Sequence, residues 1–92
     1  MTKVHNLNNT ADRRPPKGYA TWREWWEDKK GRRFSTCSCS TCVRSAEVGA
    51  HVQKHGSSDR RWYIVPLCRS CNGKSSDETF YVRDNDLEPI NK

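Results

Sequence analysis

The five cysteines of this 92-residue chain constrain its fold more than any other feature of the sequence. Four of them form two Cys-x-x-Cys pairs, Cys39 with Cys42 and Cys68 with Cys71, separated by a segment long enough for a β-hairpin. Each such pair presents two sulfurs from one tight turn, and two pairs can surround one tetrahedral Zn²⁺. The spacing therefore predicts a structural zinc ion.

The predicted ligand set has one ambiguity, because Cys37 also precedes Cys42 at a distance that a turn can close. We assign Cys39, Cys42, Cys68 and Cys71 as ligands, with Cys37 as the alternative to Cys39. A redox dithiol and a disulfide are the other uses of such pairs. The segment CSCSTC lacks the helix start typical of a redox dithiol, and a reducing compartment disfavours a disulfide.

The small apolar content indicates that the fold needs a stabilising element besides its core, here called a staple, such as a bound metal ion. Only 33% of the residues are hydrophobic, which is little for a self-sufficient core in so short a chain.

The polar opening MTKVHNLNNT lacks the apolar stretch of a secretory signal, so we expect a cytoplasmic protein. No segment approaches the roughly 18 apolar residues that span a bilayer, so we expect no membrane partner. We also expect the protein to be a monomer.

The first 18 residues differ in character from the rest. They are polar, contain the Pro-Pro pair of RRPPK and show no apolar period, so residues 1–18 are predicted to be a disordered basic arm. Residues 19–92 are predicted to form one zinc-binding domain.

A short amphipathic helix is predicted over residues 21–31. Thr21 is a favourable N-cap, Glu24 completes a capping box, and Gly31 suits the position after the helix. Three tryptophans share one helical face. They are Trp22, Trp25 and Trp26. Such a stripe could stack on bases, but in a chain this poor in apolar residues we expect it to cover the core.

The second half of the chain predicts a β-hairpin and one further strand. Arg61–Val65 alternates large side chains and is expected to end at Pro66. Cys68 is expected to open a short helix that ends at Gly73. Thr79–Arg83 is the last predicted strand.

The charge pattern is compatible with nucleic acid. The formal net charge is +6, and the excess positive charge lies in residues 1–76, whereas residues 77–92 are acidic. Four cations are expected to form a basic rim beside the helix start, although such an excess is also ordinary at a solvated surface. They are Arg60, Arg61, Arg69 and Lys74.

The segments CSTC, GAHV and YIVPLCRSCNGK together resemble the HNH, or ββα-metal, proteins over about residues 34–76. The resemblance implies a small α+β fold, a zinc-stabilised treble clef of knuckle, β-hairpin and short helix, here with an N-terminal Trp-rich helix. With that helix, the chain is similar to a small bacterial or phage subfamily. In the family, a hairpin histidine is the general base and a residue after the last cysteine completes the cation site. Those positions fall on His51 and Asn72.

Two departures from the HNH pattern weaken the predicted nuclease site. Ala50 stands where the family has the aspartate that binds the catalytic cation, and Tyr63 stands where it has an asparagine. A hard cation such as Mg²⁺ prefers anionic oxygen ligands, and only a displaced Asp59 could supply one. We therefore expect a non-catalytic zinc-stapled module that binds DNA, RNA or a protein partner. The alternative is an HNH-type DNA endonuclease that uses His51 and Asn72 with Mg²⁺.

Overall fold

The computed structural model describes residues 1–7 and 13–90, which form a small α+β fold around a five-stranded antiparallel sheet. Its strands are β1 (Thr2–Asn6), β2 (Val48–Lys54), β3 (Trp62–Leu67), β4 (Thr79–Val82) and β5 (Glu88–Pro89). Its α-helices are α1 (Trp22–Lys30) and α2 (Arg69–Asn72), and a single 3-10 turn covers Asp84–Asp86. The strand order in the sheet is β4-β1-β2-β3-β5.

The strand β1 corrects the prediction of a disordered arm over residues 1–18. It lies inside the sheet, where Val4 pairs with Lys54 of β2 and with Phe80 of β4. Val4 is fully buried and Asn6 is 3% exposed. Two inward-facing residues are too short a pattern to identify a strand whose partners lie far along the chain. Residues 8–12 of the predicted arm lie outside the described residues.

Residues 13–18 also contact the fold. The indole Nε1 of Trp22 donates a hydrogen bond to the carbonyl oxygen of Arg13 at 3.2 Å. The guanidinium of Arg13 lies 4.6 Å from the ring centroid of Trp62. The segment therefore lies along the N-terminal end of α1, and these contacts attach this part of the predicted arm to the domain.

The helix α1 has the start and the end that its sequence predicts. Thr21 Oγ1 accepts a hydrogen bond from the Glu24 N–H at 3.1 Å, and Glu24 Oε1 accepts one from the Ala20 N–H at 2.8 Å. Gly31 follows the helix with a positive φ of 71°, and its N–H donates to the carbonyl oxygen of Glu27. Local side-chain chemistry therefore fixes both ends of the helix.

The side of the sheet that α1 covers is called the α1 face. Trp25 and Trp26 are buried there against Ile64 of β3, which confirms the prediction that the tryptophan stripe covers the core. The helix lies very close to β2, because a Cβ added to Gly49 would stand 2.9 Å from the Cβ of Trp22. A glycine is required at this contact.

The other side is called the cysteine face, because it carries α2 and the larger core, which includes four buried cysteines and the partly buried Cys42. Ala50 and Val52 of β2 belong to this core, while His51 between them points to the α1 face. The alternation along β2 thus separates the two faces, as expected for a strand.

The strand β3 is longer than predicted, because Pro66 lies inside it and does not end it. Pro66 is paired with Gly49, and its carbonyl oxygen accepts the N–H of Ser38, away from β2. The N–H that proline lacks would point the same way, so the β2–β3 ladder loses no hydrogen bond. The predicted helix after Cys68 and the predicted strand at Thr79 are both present. Within the described residues, no helix is long and apolar enough to cross a membrane.

Candidate metal centre

A small loop brings the first two cysteines of the candidate site together. Thr36 pairs with Ser45 in an isolated antiparallel bridge, and the N–H of Cys37 donates to the carbonyl oxygen of Arg44 at 2.8 Å. The chain reverses between these residues, and the N–H of Arg44 points at the sulfur of Cys42 at 3.5 Å. This hydrogen-bonded knuckle fixes where its two sulfurs stand.

Four cysteines meet where the knuckle faces the start of α2. The sulfurs of Cys37, Cys42, Cys68 and Cys71 all lie within 4.8 Å of one another. The distance between Cys42 Sγ and Cys68 Sγ is 3.7 Å. Tetrahedral zinc with Zn–S bonds of about 2.3 Å separates its sulfurs by about 3.8 Å, whereas a disulfide bond is only about 2.05 Å long. This cluster of cysteines could bind a metal ion such as zinc.

The structure brings Cys37 into this group and leaves Cys39 outside it. Cys39 forms an isolated bridge with Val82 of β4, and its buried sulfur lies 3.4 Å from the hydroxyl of Thr41. The Cys-x-x-Cys spacing favoured Cys39, but spacing takes no account of a pairing partner more than forty residues away. The alternative ligand set, with Cys37, is therefore the one that the fold assembles.

The pKa values of the clustered cysteine thiols also favour the binding of a cation. Burial raises the pKa of Cys71, and the neighbouring thiols of Cys68 and Cys37 raise it further. Burial likewise raises the pKa of Cys37. For Cys68 burial acts in the same direction, but hydrogen bonds from Cys71, Cys42 and Cys37 outweigh it and lower the pKa to about 7. One thiolate thus forms readily and further ones are resisted, until a bound divalent cation compensates their charge.

A residue that the sequence analysis did not identify supports α2 from the first strand. Asn6 Nδ2 donates hydrogen bonds to the carbonyl oxygens of Cys71 at 2.9 Å, Asn72 at 3.2 Å and Lys74 at 3.0 Å. These carbonyls lie at or just beyond the end of α2, where a helix leaves its last carbonyls without helical donors. The carbonyl oxygen of Cys71 also accepts the Lys74 N–H at 3.3 Å. The only sequence signal was a polar residue two positions after Val4.

His51 lies in an aromatic environment on the α1 face. Its ring centroid is 4.9 Å from that of Trp22 and 6.2 Å from that of Trp62, with edge-to-face geometry in both pairs. The residue is 8% exposed, and its Nε2 has no hydrogen-bond partner in the part of the chain that the structure describes. Burial, together with the positive charge of Arg13, lowers its pKa to about 4, so the imidazole is neutral at pH 7.

The structure does not bring His51 and Asn72 together. Asn72 ends α2 and is exposed, and its neighbour Cys71 is buried in the cysteine face. His51 lies on the opposite side of the sheet. The position before it, Ala50, is 2% exposed and packs into the core. The two candidate catalytic residues therefore do not converge on one phosphate.

Asp59, the carboxylate that could have replaced the missing ligand, is already engaged in the β2–β3 loop. It accepts a hydrogen bond from the Tyr63 hydroxyl at 2.5 Å and pairs with Arg61 at 3.2 Å and Lys54 at 3.3 Å. The bond with Arg61, followed by that with Tyr63, lowers its pKa far below the usual range. Tyr63 thus closes the loop and does not act at a cation site.

The four cations predicted to bind nucleic acid do not form one rim. Arg60 and Arg61 precede β3, whereas Arg69 and Lys74 follow it. The six residues of β3 separate the two groups by about 20 Å. Three of the four are also paired with carboxylates, the partners of Arg61, Arg69 and Lys74 being Asp59, Glu47 and Glu78, respectively. Only Arg60 is without an ion pair among the described residues.

Comparison of the chain with protein-family models, with curated proteins and with solved structures finds no match. The class that fold and site define is a small α+β protein with a four-cysteine cluster that could bind zinc. Its function is inferred below from its own residues.

Proposed function

We propose that this protein is a zinc-stapled, HNH-like treble-clef module that binds nucleic acid and has no nuclease activity. The observation that carries the proposal is the convergence of Cys37, Cys42, Cys68 and Cys71 between a knuckle and the start of a helix. The chain order of knuckle, β-hairpin and short helix supports the treble-clef assignment.

The zinc ion acts as the staple of the larger core. The cysteines lie within that core, and three of the four, Cys37, Cys68 and Cys71, are buried in it. Structural zinc contributes about 10–16 kcal/mol of apparent binding free energy to small domains, and this energy becomes folding energy. The purified protein should contain one zinc ion per chain by elemental analysis. Removal of zinc by a strong chelator at neutral pH should abolish its far-UV circular dichroism, and retention of the full signal would refute the staple.

The absence of nuclease activity is inferred from the positions of the candidate catalytic residues. His51 is enclosed by indoles, Ala50 supplies no ligand, and Asn72 is exposed beyond the other face of the sheet. Supercoiled plasmid should stay intact with Mg²⁺ or Mn²⁺ at protein concentrations that saturate binding. Metal-dependent nicking that disappears in His51→Ala would establish the endonuclease alternative instead.

Nucleic acid is the partner that the charge favours. Four zinc-bound thiolates and one Zn²⁺ reduce the formal net charge from +6 to about +4, which leaves the domain basic. Binding of a labelled oligonucleotide, followed by fluorescence anisotropy, should weaken steeply as salt rises. If the protein contains zinc but binds no DNA or RNA at low salt, the proposed zinc fold stands and the proposed nucleic-acid binding is wrong.

A further inference from the structure

A basic groove runs along the N-terminal end of α1, where residues 13–17 pass the helix. It has a volume of about 830 Å³, and among the described residues five cations and one carboxylate, Glu47, line it. The cations are Arg13, Arg14, Lys17, Arg23 and Arg69. The groove continues into a smaller indole pocket of about 260 Å³, which is lined by Trp22, His51, Trp62 and Ile90 and shares Arg13, Arg14 and Pro16 with the groove.

The positive charge of the basic groove is only partly balanced. Arg23 pairs with Glu27 at 3.3 Å, and Arg69 pairs with Glu47 at 3.5 Å. Arg13, Arg14 and Lys17 make no ion pair with any residue in the ranges 1–7 and 13–90. Three unpaired cations within five residues of chain favour a ligand with successive negative charges.

The indole pocket is suited to a flat ring. Trp22 and Trp62 both contact His51 in edge-to-face geometry, with ring centroids 4.9 Å and 6.2 Å from that of the imidazole. The guanidinium of Arg13 already lies over Trp62, so this indole face accepts a planar group. Indole faces stack on nucleic-acid bases without regard to sequence.

His51 supplies an independent indication of a ligand. It is more than nine-tenths buried, lines the indole pocket, and its Nε2 has no hydrogen-bond partner within residues 1–7 and 13–90. A buried polar atom without a partner is unfavourable, so such atoms are rare in folded proteins. The polar edge of a base in the pocket would satisfy it.

We propose that the basic groove and the indole pocket together bind single-stranded nucleic acid. Phosphates lie against Arg13, Arg14 and Lys17, and one base enters the indole pocket, where it takes the place of the Arg13 guanidinium over Trp62 and hydrogen-bonds to His51 Nε2. A duplex keeps its bases stacked and paired, so only an unpaired base reaches this pocket. This inference rests on the proposed nucleic-acid binding and adds its surface and its substrate class.

The first test compares two double variants of the zinc-loaded protein that remove the same charge. Arg14→Gln with Lys17→Gln alters the basic groove, whereas Arg33→Gln with Arg44→Gln alters exposed positions outside it. Anisotropy is measured with a labelled single strand across a salt series. The groove variant should lower the slope of log affinity against log salt by about 1.4, because two contacts to a single strand are lost. The control variant should keep the wild-type slope.

The second test probes the indole pocket. Trp62→Leu should weaken single-strand binding about tenfold or more through lost stacking, with an unchanged salt slope. His51→Phe, which keeps a ring but removes Nε2, should reduce single-strand affinity several-fold and leave the weaker duplex binding unaltered. Circular dichroism and zinc content verify the fold of each variant.

The outcomes distinguish a failure of the proposed single-strand surface from a failure of the proposed nucleic-acid binding. If both double variants bind the single strand with the same affinity and salt slope, the basic groove is not the binding surface, but the proposed nucleic-acid binding stands. If the wild type prefers the duplex, or if polyglutamate competes as well as the single strand, the base pocket is wrong. If no nucleic acid binds at low salt, the proposed function itself fails.

Discussion

Asn6 joins the first strand to the four-cysteine cluster, since its Nδ2 donates a 2.9 Å hydrogen bond to the carbonyl oxygen of Cys71. The same amide reaches the carbonyl oxygens of Asn72 and Lys74. A residue at the beginning of the chain thus closes the end of the helix that carries one of the four clustered cysteines. The sheet and the candidate zinc site are thus linked directly by this side chain.

Replacing Asn6 by Ala should destabilise the protein by about 1–3 kcal/mol, because it removes a buried hydrogen bond to Cys71 O and two part-buried ones to Asn72 O and Lys74 O. Urea unfolding of the zinc-loaded protein measures the change. Zinc transfer to a chelator should also become faster, since α2 is held less firmly. Lys3→Ala on the same strand, where the side chain is exposed, is the control and should change neither quantity.

The choice between Cys37 and Cys39 gives a matched pair of variants. Cys37→Ser should lose or greatly weaken zinc binding, because it removes one of the four sulfurs that lie within 4.8 Å of one another. Cys39→Ser should retain one zinc ion per chain, since its sulfur contacts Thr41 instead. Elemental analysis after dialysis decides the question. Zinc loss confined to Cys39→Ser would restore the ligand set suggested by the spacing.

The contact of α1 with β2 depends on the absence of a side chain at Gly49. In Gly49→Ala the new Cβ would meet the Cβ of Trp22 at 2.9 Å and its carbonyl carbon at 3.0 Å, so the helix must shift. We expect a loss of about 1–3 kcal/mol in unfolding free energy. Gly73→Ala is the control, because its Cβ would lie at an ordinary 3.4 Å from Arg69 O. Equal stability of the two variants would contradict this close packing.

The parts of the fold that the sequence predicted are those that local chemistry determines. Thr21, Glu24 and Gly31 fix α1 through hydrogen bonds within a few residues. Cys68 and Cys71 stand one helical turn apart, and their spacing alone places both at the start of α2. Such features can be predicted without knowing the rest of the molecule.

The parts that the sequence did not predict depend on partners far along the chain. Val4 is buried because β2 and β4 flank it, and Cys39 is set apart by its bridge to Val82. The position of His51 follows from the packing of α1 on the sheet, which turns it toward Trp22 and away from α2. The motifs that carry the family resemblance lie within about residues 34–76, so they reveal neither β1 nor how α1 packs on the sheet.

The neutral state of His51 makes stability depend on pH in a defined window. Burial and the charge of Arg13 lower its pKa to about 4 in the fold, against 6.5 for an ordinary histidine. The unfolded chain therefore binds a proton that the folded one excludes as pH falls below 6.5. The stabilisation is complete above 6.5 and is lost progressively towards about 4.

Between pH 7.5 and 5.5, His51 should lower the free energy of unfolding by about 1.4 kcal/mol. Urea unfolding across this range measures the slope for the wild type and for His51→Phe, which cannot titrate. Proton competition at the cysteines affects both proteins, so the difference between the two slopes isolates the histidine. The wild-type curve should fall more steeply as the solution is acidified. Parallel curves would mean that the buried imidazole takes up its proton as readily as in the unfolded chain.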